Sequence, residues 1–118
     1  LGLSQPAVAT IQAARKLESL IKLWDIEPAN ELLSDREDNE AYLAAQPGRA
    51  YALYFTDGGA VGLDLKHAPG RFGVRWIDIG SGEWGQSERL DGGRTVTVTA
   101  PAKGQWVAAI VLLAGTMQ

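Results

Sequence analysis

The sequence predicts a mainly β protein: an antiparallel β-sandwich of about seven to eight strands behind one N-terminal amphipathic helix. Three observations carry this expectation. Apolar residues recur at every second position through most of the chain after Gln46. Glycine turns interrupt that alternation at short intervals, at "DGG" 57–59, "GSG" 80–82 and "DGG" 91–93. Before it, from Gln5 to Trp24, the apolar spacing is three to four residues, as on a helix with one buried face.

The helix comes first in the chain. Val8, Ile11, Ala14, Leu17, Leu20, Ile21 and Trp24 form the expected apolar stripe, with Gln12, Arg15, Lys16, Ser19 and Lys22 on the remaining positions. Ser4 suits the N-cap, Pro6 the first turn and Pro28 the stop. From Asp25 to Gln46 the chain reads as a connector with one short helical turn near Glu31 to Leu33, and the charged run "NELLSDREDNE" reads as a solvated face. The organisation therefore divides into helix and linker over 1–46 and a sandwich over 47–118.

Within the sandwich, Tyr51, Leu53 and Phe55 share one face, and the turn at 57–59 leads to Val61, Leu63 and Leu65 on the next strand. In "RFGVRWIDI", Phe72, Val74 and Trp76 point one way and Ile77 and Ile79 the other, which predicts a bulge near Trp76. "RTVTVT" turns Val96 and Val98 inward and its threonines outward. The last strand, "QWVAAIVLL", is apolar on both faces and needs a cover on each, one being the sandwich core and the other the first helix folded back. Weak homodimerisation of the isolated chain through the helix is the secondary expectation.

Composition excludes several functions. The chain has 118 residues and no cysteine, so thiol nucleophiles and cysteine-ligated zinc are ruled out. A formal net charge of -3, from 11 basic and 14 acidic residues without a basic stripe, argues against nucleic acid as a partner. The apolar run "WVAAIVLLAG" is too short to span a bilayer, so no membrane partner is expected. The start at "LGLSQP", without methionine, suggests a piece of a longer protein.

Candidate chemistry is sparse. Asp57, Asp64, Asp78, Glu83 and Asp91 sit beside glycine turns or on exposed strand positions, where carboxylates shape turns rather than form a facing acid–base pair. His67 is the single histidine, without triad partners. "GSGEWG" has nearly the glycine spacing of a phosphate loop, but it joins strand to strand with no helix N-terminus. Neither "DGG" has the ligand density of a calcium loop. No catalytic residue, metal site or cofactor is therefore assigned. Among the aromatics, Trp76 and Trp106 read as core and Trp24 as part of the helix stripe. Trp84, with polar neighbours, and Tyr54 are the candidate ligand-stacking residues.

The segments "GRAYALYFTDGGAVGLDL", "GRFGVRWIDIGSGEWG" and "GGRTVTVTAPAKGQWVAAIVL" resemble the carboxy-terminal β-sandwich family labelled as the collagen-binding domain of a collagenase. The pieces that carry the likeness are the Tyr-rich first hairpin, the Trp-x-Asp before a glycine turn and a second Trp, the "GG" before a Thr/Val strand, and the "AP" before the final Trp strand. They span about Arg49 to Leu113. Members of that family usually follow an apiosidase-like TIM-barrel glycoside hydrolase, and residues 1–35 are similar to the last barrel helix and linker of such an enzyme. The resemblance implies a non-catalytic accessory domain with an upstream catalytic barrel of the same protein as its partner. It also implies a secreted or periplasmic parent, with polysaccharide or a collagen-like matrix protein as the alternative ligand.

Overall fold

The computed structural model describes residues 5–36 and 40–113. Among the described residues, helix α1 (Gln5–Leu20) is followed by nine strands: β1 (Glu27–Pro28), β2 (Leu33–Ser34), β3 (Ala41–Gln46), β4 (Ala50–Phe55), β5 (Ala60–Asp64), β6 (Arg71–Asp78), β7 (Glu83–Asp91), β8 (Thr95–Thr99) and β9 (Trp106–Leu112). They form two antiparallel sheets. The larger has the order β1-β3-β4-β9-β6-β7 and the smaller β2-β5-β8. The expected mainly β sandwich with one N-terminal helix is the fold observed.

The core lies between the sheets, and period-two alternation fills it. Leu43, Tyr51, Leu53, Phe55, Phe72, Val74, Trp76, Ala108 and Ile110 enter from the larger sheet and meet Val61, Leu63, Val96 and Val98 from the smaller one. Those of β4, β5, β6 and β8 are legible as inward positions in the sequence; Leu43 of β3 is not, and β9, apolar on both faces, does not show which of its residues face the core.

The segment 25–46 departs most from expectation. The connector carries β1, β2 and β3, and its helical turn is a 3-10 turn at Asn30–Leu32. All six residues of β3 pair with β4, so the larger sheet starts ahead of residue 47. Its pattern escaped notice because the inward residues Ala41, Leu43 and Ala45 include two alanines, whose small side chains and low strand preference give little contrast.

The helix folds back on the outer face of the larger sheet. Ala13, Leu17, Leu20 and Ile21 pack on Ile77, Ile79, Val107, Ala52, Ala109 and Val111, so the last strand is covered on both sides as its sequence requires. The buried stripe is nevertheless Ala13, Leu17, Leu20 and Ile21, narrower than expected. Ile11 is 41% exposed, because at about 100° per residue it lies on the side of the helix opposite Ala13. Trp24 is 81% exposed: α1 ends at Leu20, a 3-10 turn occupies Leu23–Asp25, and the helical phase that would bring Trp24 onto the stripe is lost. Ser4 and the side chains of Pro6 and Val8 fall outside the description.

The bulge lies beside Trp76, but the extra residue belongs to β7. Gly85 and Gln86 stand opposite Trp76 between the pairs Arg75–Ser87 and Ile77–Trp84, while β6 keeps its alternation through Ile77. Gly85 is required by close approach, since a Cβ there would come within 2.7 Å of the Trp106 ring. Trp106, expected in the core, is only partly buried at the rim. Its ring packs edge-on to Trp76 at 6.2 Å, and its Nε1 donates to the Lys103 carbonyl at 3.2 Å.

Candidate functional site

The register of the larger sheet brings one row of side chains into line on its outer face. Tyr42 pairs with Tyr54, Tyr54 with Val107, Val107 with Ile77, and Ile77 with Trp84. At a strand spacing of about 4.8 Å the row spans about 19 Å from β3 to β7. Helix α1 crosses its centre and covers Val107 and Ile77. What remains is an aromatic group on each flank of the helix.

On one flank, Tyr42 and Tyr54 stack with ring centroids 6.3 Å apart and planes 19° from parallel. Arg36 lies over the Tyr42 ring at 5.5 Å and donates from Nε to the Ala41 carbonyl at 2.6 Å. Tyr42 is 38% exposed and Tyr54 half-buried. The sequence-predicted Tyr54 thus has a ring partner that sequence reasoning missed, because Tyr42 belongs to the strand read as connector.

On the other flank stands Trp84, 39% exposed, with the Arg75 guanidinium 4.2 Å and the Lys16 ammonium 5.9 Å from its ring centroid. Two cations therefore use the ring, and part of its π-surface is occupied. Trp84 and Tyr54, the two candidate stacking residues, share the outer face but are separated by α1.

Beside Trp84 a groove of about 480 Å³ runs between α1 and the edge strand β7. Leu20, Ala109, Val111 and Leu113 supply apolar walls and floor, with the Leu113 side chain lying over Gly73. Arg75, Ser87, Glu88 and Arg89 stand along the β6–β7 side, all exposed. The alternation that places Phe72, Val74 and Trp76 inside already puts Arg71, Gly73 and Arg75 outside, so this signal was present in the sequence but unread.

The carboxylates do structural work in the turns. Asp57 Oδ1 accepts from the Gly104 amide, Asp64 Oδ1 from that of Lys66, and Asp78 Oδ1 from those of Gly80 and Ser81. Asp91 faces Arg71 at 3.8 Å, an exposed pair of small energetic weight. Glu88 accepts from Trp76 Nε1 at 2.7 Å and from Gln86 Nε2 at 2.9 Å. His67 borders a small cavity with Asp64 and Tyr51. Among the described residues, no three or more His, Asp or Glu side chains gather where they could hold a metal ion.

No family model matches this chain, and no curated protein does. Solved structures do share its fold. One is a glycoside hydrolase, aligned with a TM-score of 0.73 at 12% identity over 94% of this chain and 26% of its own length. Another is a glycoside hydrolase family 5 protein from Bacteroides vulgatus, with a TM-score of 0.74 at 14% identity over 96% of this chain and 26% of its own. The chain spans about a quarter of the length of each. At these identities the likeness is one of fold. Because 94–96% of the chain aligns, the matched unit includes part of the helix as well as the sandwich.

Proposed function

We propose that this chain is the non-catalytic carboxy-terminal accessory domain of a glycoside hydrolase, packing on the catalytic TIM barrel upstream of it and stabilising that barrel. The observation that carries this reading is Trp24, the largest side-chain type, left 81% exposed just beyond the end of α1. The inner stripe of α1 is satisfied by the larger sheet, whereas Trp24, and Ile11 in the middle of α1, have apolar surface to offer an outside partner. Aromatic anchors of this kind carry a large share of docking energy.

A second reading, a carbohydrate-binding module, is supported by the stacked Tyr42–Tyr54 pair, whose faces suit the C–H surface of a sugar ring. Binding to collagen or another matrix protein rests on the family resemblance alone.

The catalytic part of the proposal is tested by assay. The isolated 118-residue chain is expected to hydrolyse neither pectic nor other plant glycans, nor collagen, while the full-length gene product hydrolyses a glycan. Turnover by the isolated chain that disappears on replacing any two of Asp57, Asp64, Asp78 and Glu83 contradicts it.

A further inference from the structure

We propose that the groove between α1 and β7 is a subsite for an acidic saccharide, with Arg75 and Arg89 taking its carboxylate. This deepens the carbohydrate-binding reading and rests on it. It does not depend on docking to a barrel.

The argument begins with register. Arg75 stands opposite Ser87, and Arg89 opposite Gly73, so the two arginines are diagonal neighbours on the outer face of the β6–β7 ladder. Their Cβ atoms are then about 7–8 Å apart, a separation that two long side chains close easily around one small anion. Neither arginine has a carboxylate partner among the described residues. Arg71, the other arginine on this face of β6, is paired with Asp91; Glu88 also borders the groove, where its carboxylate accepts from Trp76 Nε1 and Gln86 Nε2, so the lining carries two cations against one anion. Arg75 also has a ring beneath it: its guanidinium lies 4.2 Å from the Trp84 ring centroid, which supports its face and leaves the in-plane N–H groups for a ligand. A planar fork of donors matches a carboxylate with two parallel hydrogen bonds.

The rest of the groove suits a sugar ring. Val111, Leu20 and Leu113 give an apolar surface for its C–H face, and the Ser87 hydroxyl can exchange hydrogen bonds with ring hydroxyls. A volume of about 480 Å³ is in the range of small-molecule sites. The solved structures that share this fold are glycoside hydrolases, which places glycans among the ligands within reach.

The test is isothermal titration of the 118-residue chain with trigalacturonate, neutral galactotriose and poly-glutamate. The comparison proteins are Arg75→Gln/Arg89→Gln, Arg75→Lys and Tyr42→Ala. Trigalacturonate is expected to bind the wild type at least tenfold tighter than galactotriose. The double variant should lose at least tenfold, and Arg75→Lys should lose an intermediate amount. Both arginines are exposed, and unaltered thermal unfolding of the variants confirms that folding is intact. Three results overturn the proposal: no binding of trigalacturonate at millimolar concentration, binding unaffected by the double variant, or equal affinity for poly-glutamate. Galactotriose binding that is lost in Tyr42→Ala, with no arginine dependence, sinks the groove subsite while leaving the broader carbohydrate reading standing.

Discussion

Trp76→Ala is expected to cost about 3–5 kcal/mol of folding stability, as a large-to-small truncation in a close-packed core, and Trp84→Ala clearly less. Trp76 is fully buried, packs at 5.6 Å from the Phe55 ring and 6.2 Å from the Trp106 ring, and donates its Nε1 proton to Glu88. Removing it opens a cavity where both sheets meet and leaves the Glu88 carboxylate without its indole donor. Trp84 sits on the outer face with solvent on one side, and its loss forfeits contacts with Ile77, Arg75 and Lys16 only in part. Urea unfolding of both variants checks the difference. Equal losses would show that the two tryptophans on either side of the 80–82 turn are not differently placed.

Removal of residues 1–22 is the second large effect. The deletion uncovers Ile77, Val107, Ala109 and Ala52, and strips away Leu17, Leu20 and Ile21. At about 1.5–3 kcal/mol for each large side chain fully buried, and less for Leu17 and Leu20, which are half-buried, the loss is expected to be about 3–6 kcal/mol. That is a large share of the stability of a domain this size. The bared outer face should also make the shortened chain self-associate, which sedimentation reads directly. A truncated form that stays monomeric and equally stable contradicts the role assigned to α1.

The parts of this fold that were legible in the sequence are those where side-chain contrast is strong. Phe72, Val74 and Trp76 alternate with Arg71, Gly73 and Arg75, and Val96 and Val98 with three threonines, so their strands and inward faces could be read directly. Unbroken apolar character did the same for β9, where Val107 to Ile110 could only belong to a strand covered on both sides. β3 failed the same reading because alanine stands at inward positions, and with it Tyr42 was lost. The helix stripe was overextended, since periodicity alone does not say where α1 stops, and Trp24 keeps the spacing after the helix has ended.

The outer-face site was harder to see because it depends on pairing rather than on any one segment. Tyr42 and Tyr54 stack only because β3 and β4 pair with those residues opposed. Arg75 and Arg89 become neighbours through the β6–β7 register, and the bulge at Gly85 and Gln86 turns Trp84 toward Ile77 and Arg75. Seen as isolated letters, two surface arginines and a tryptophan are ordinary. Their juxtaposition is a property of the sheet.

Docking through the exposed side of α1 is tested most directly by calorimetric unfolding of Trp24→Ser, measured both in the 118-residue chain and in the full-length gene product. Trp24 touches little within the chain, so the isolated domain should unfold as the wild type does. In the full-length protein the same substitution should remove an aromatic anchor worth about 2 kcal/mol or more and lower the unfolding temperature. Equal behaviour of wild type and variant in the full-length protein, or an upstream region with no folded domain to meet Trp24, would contradict the account.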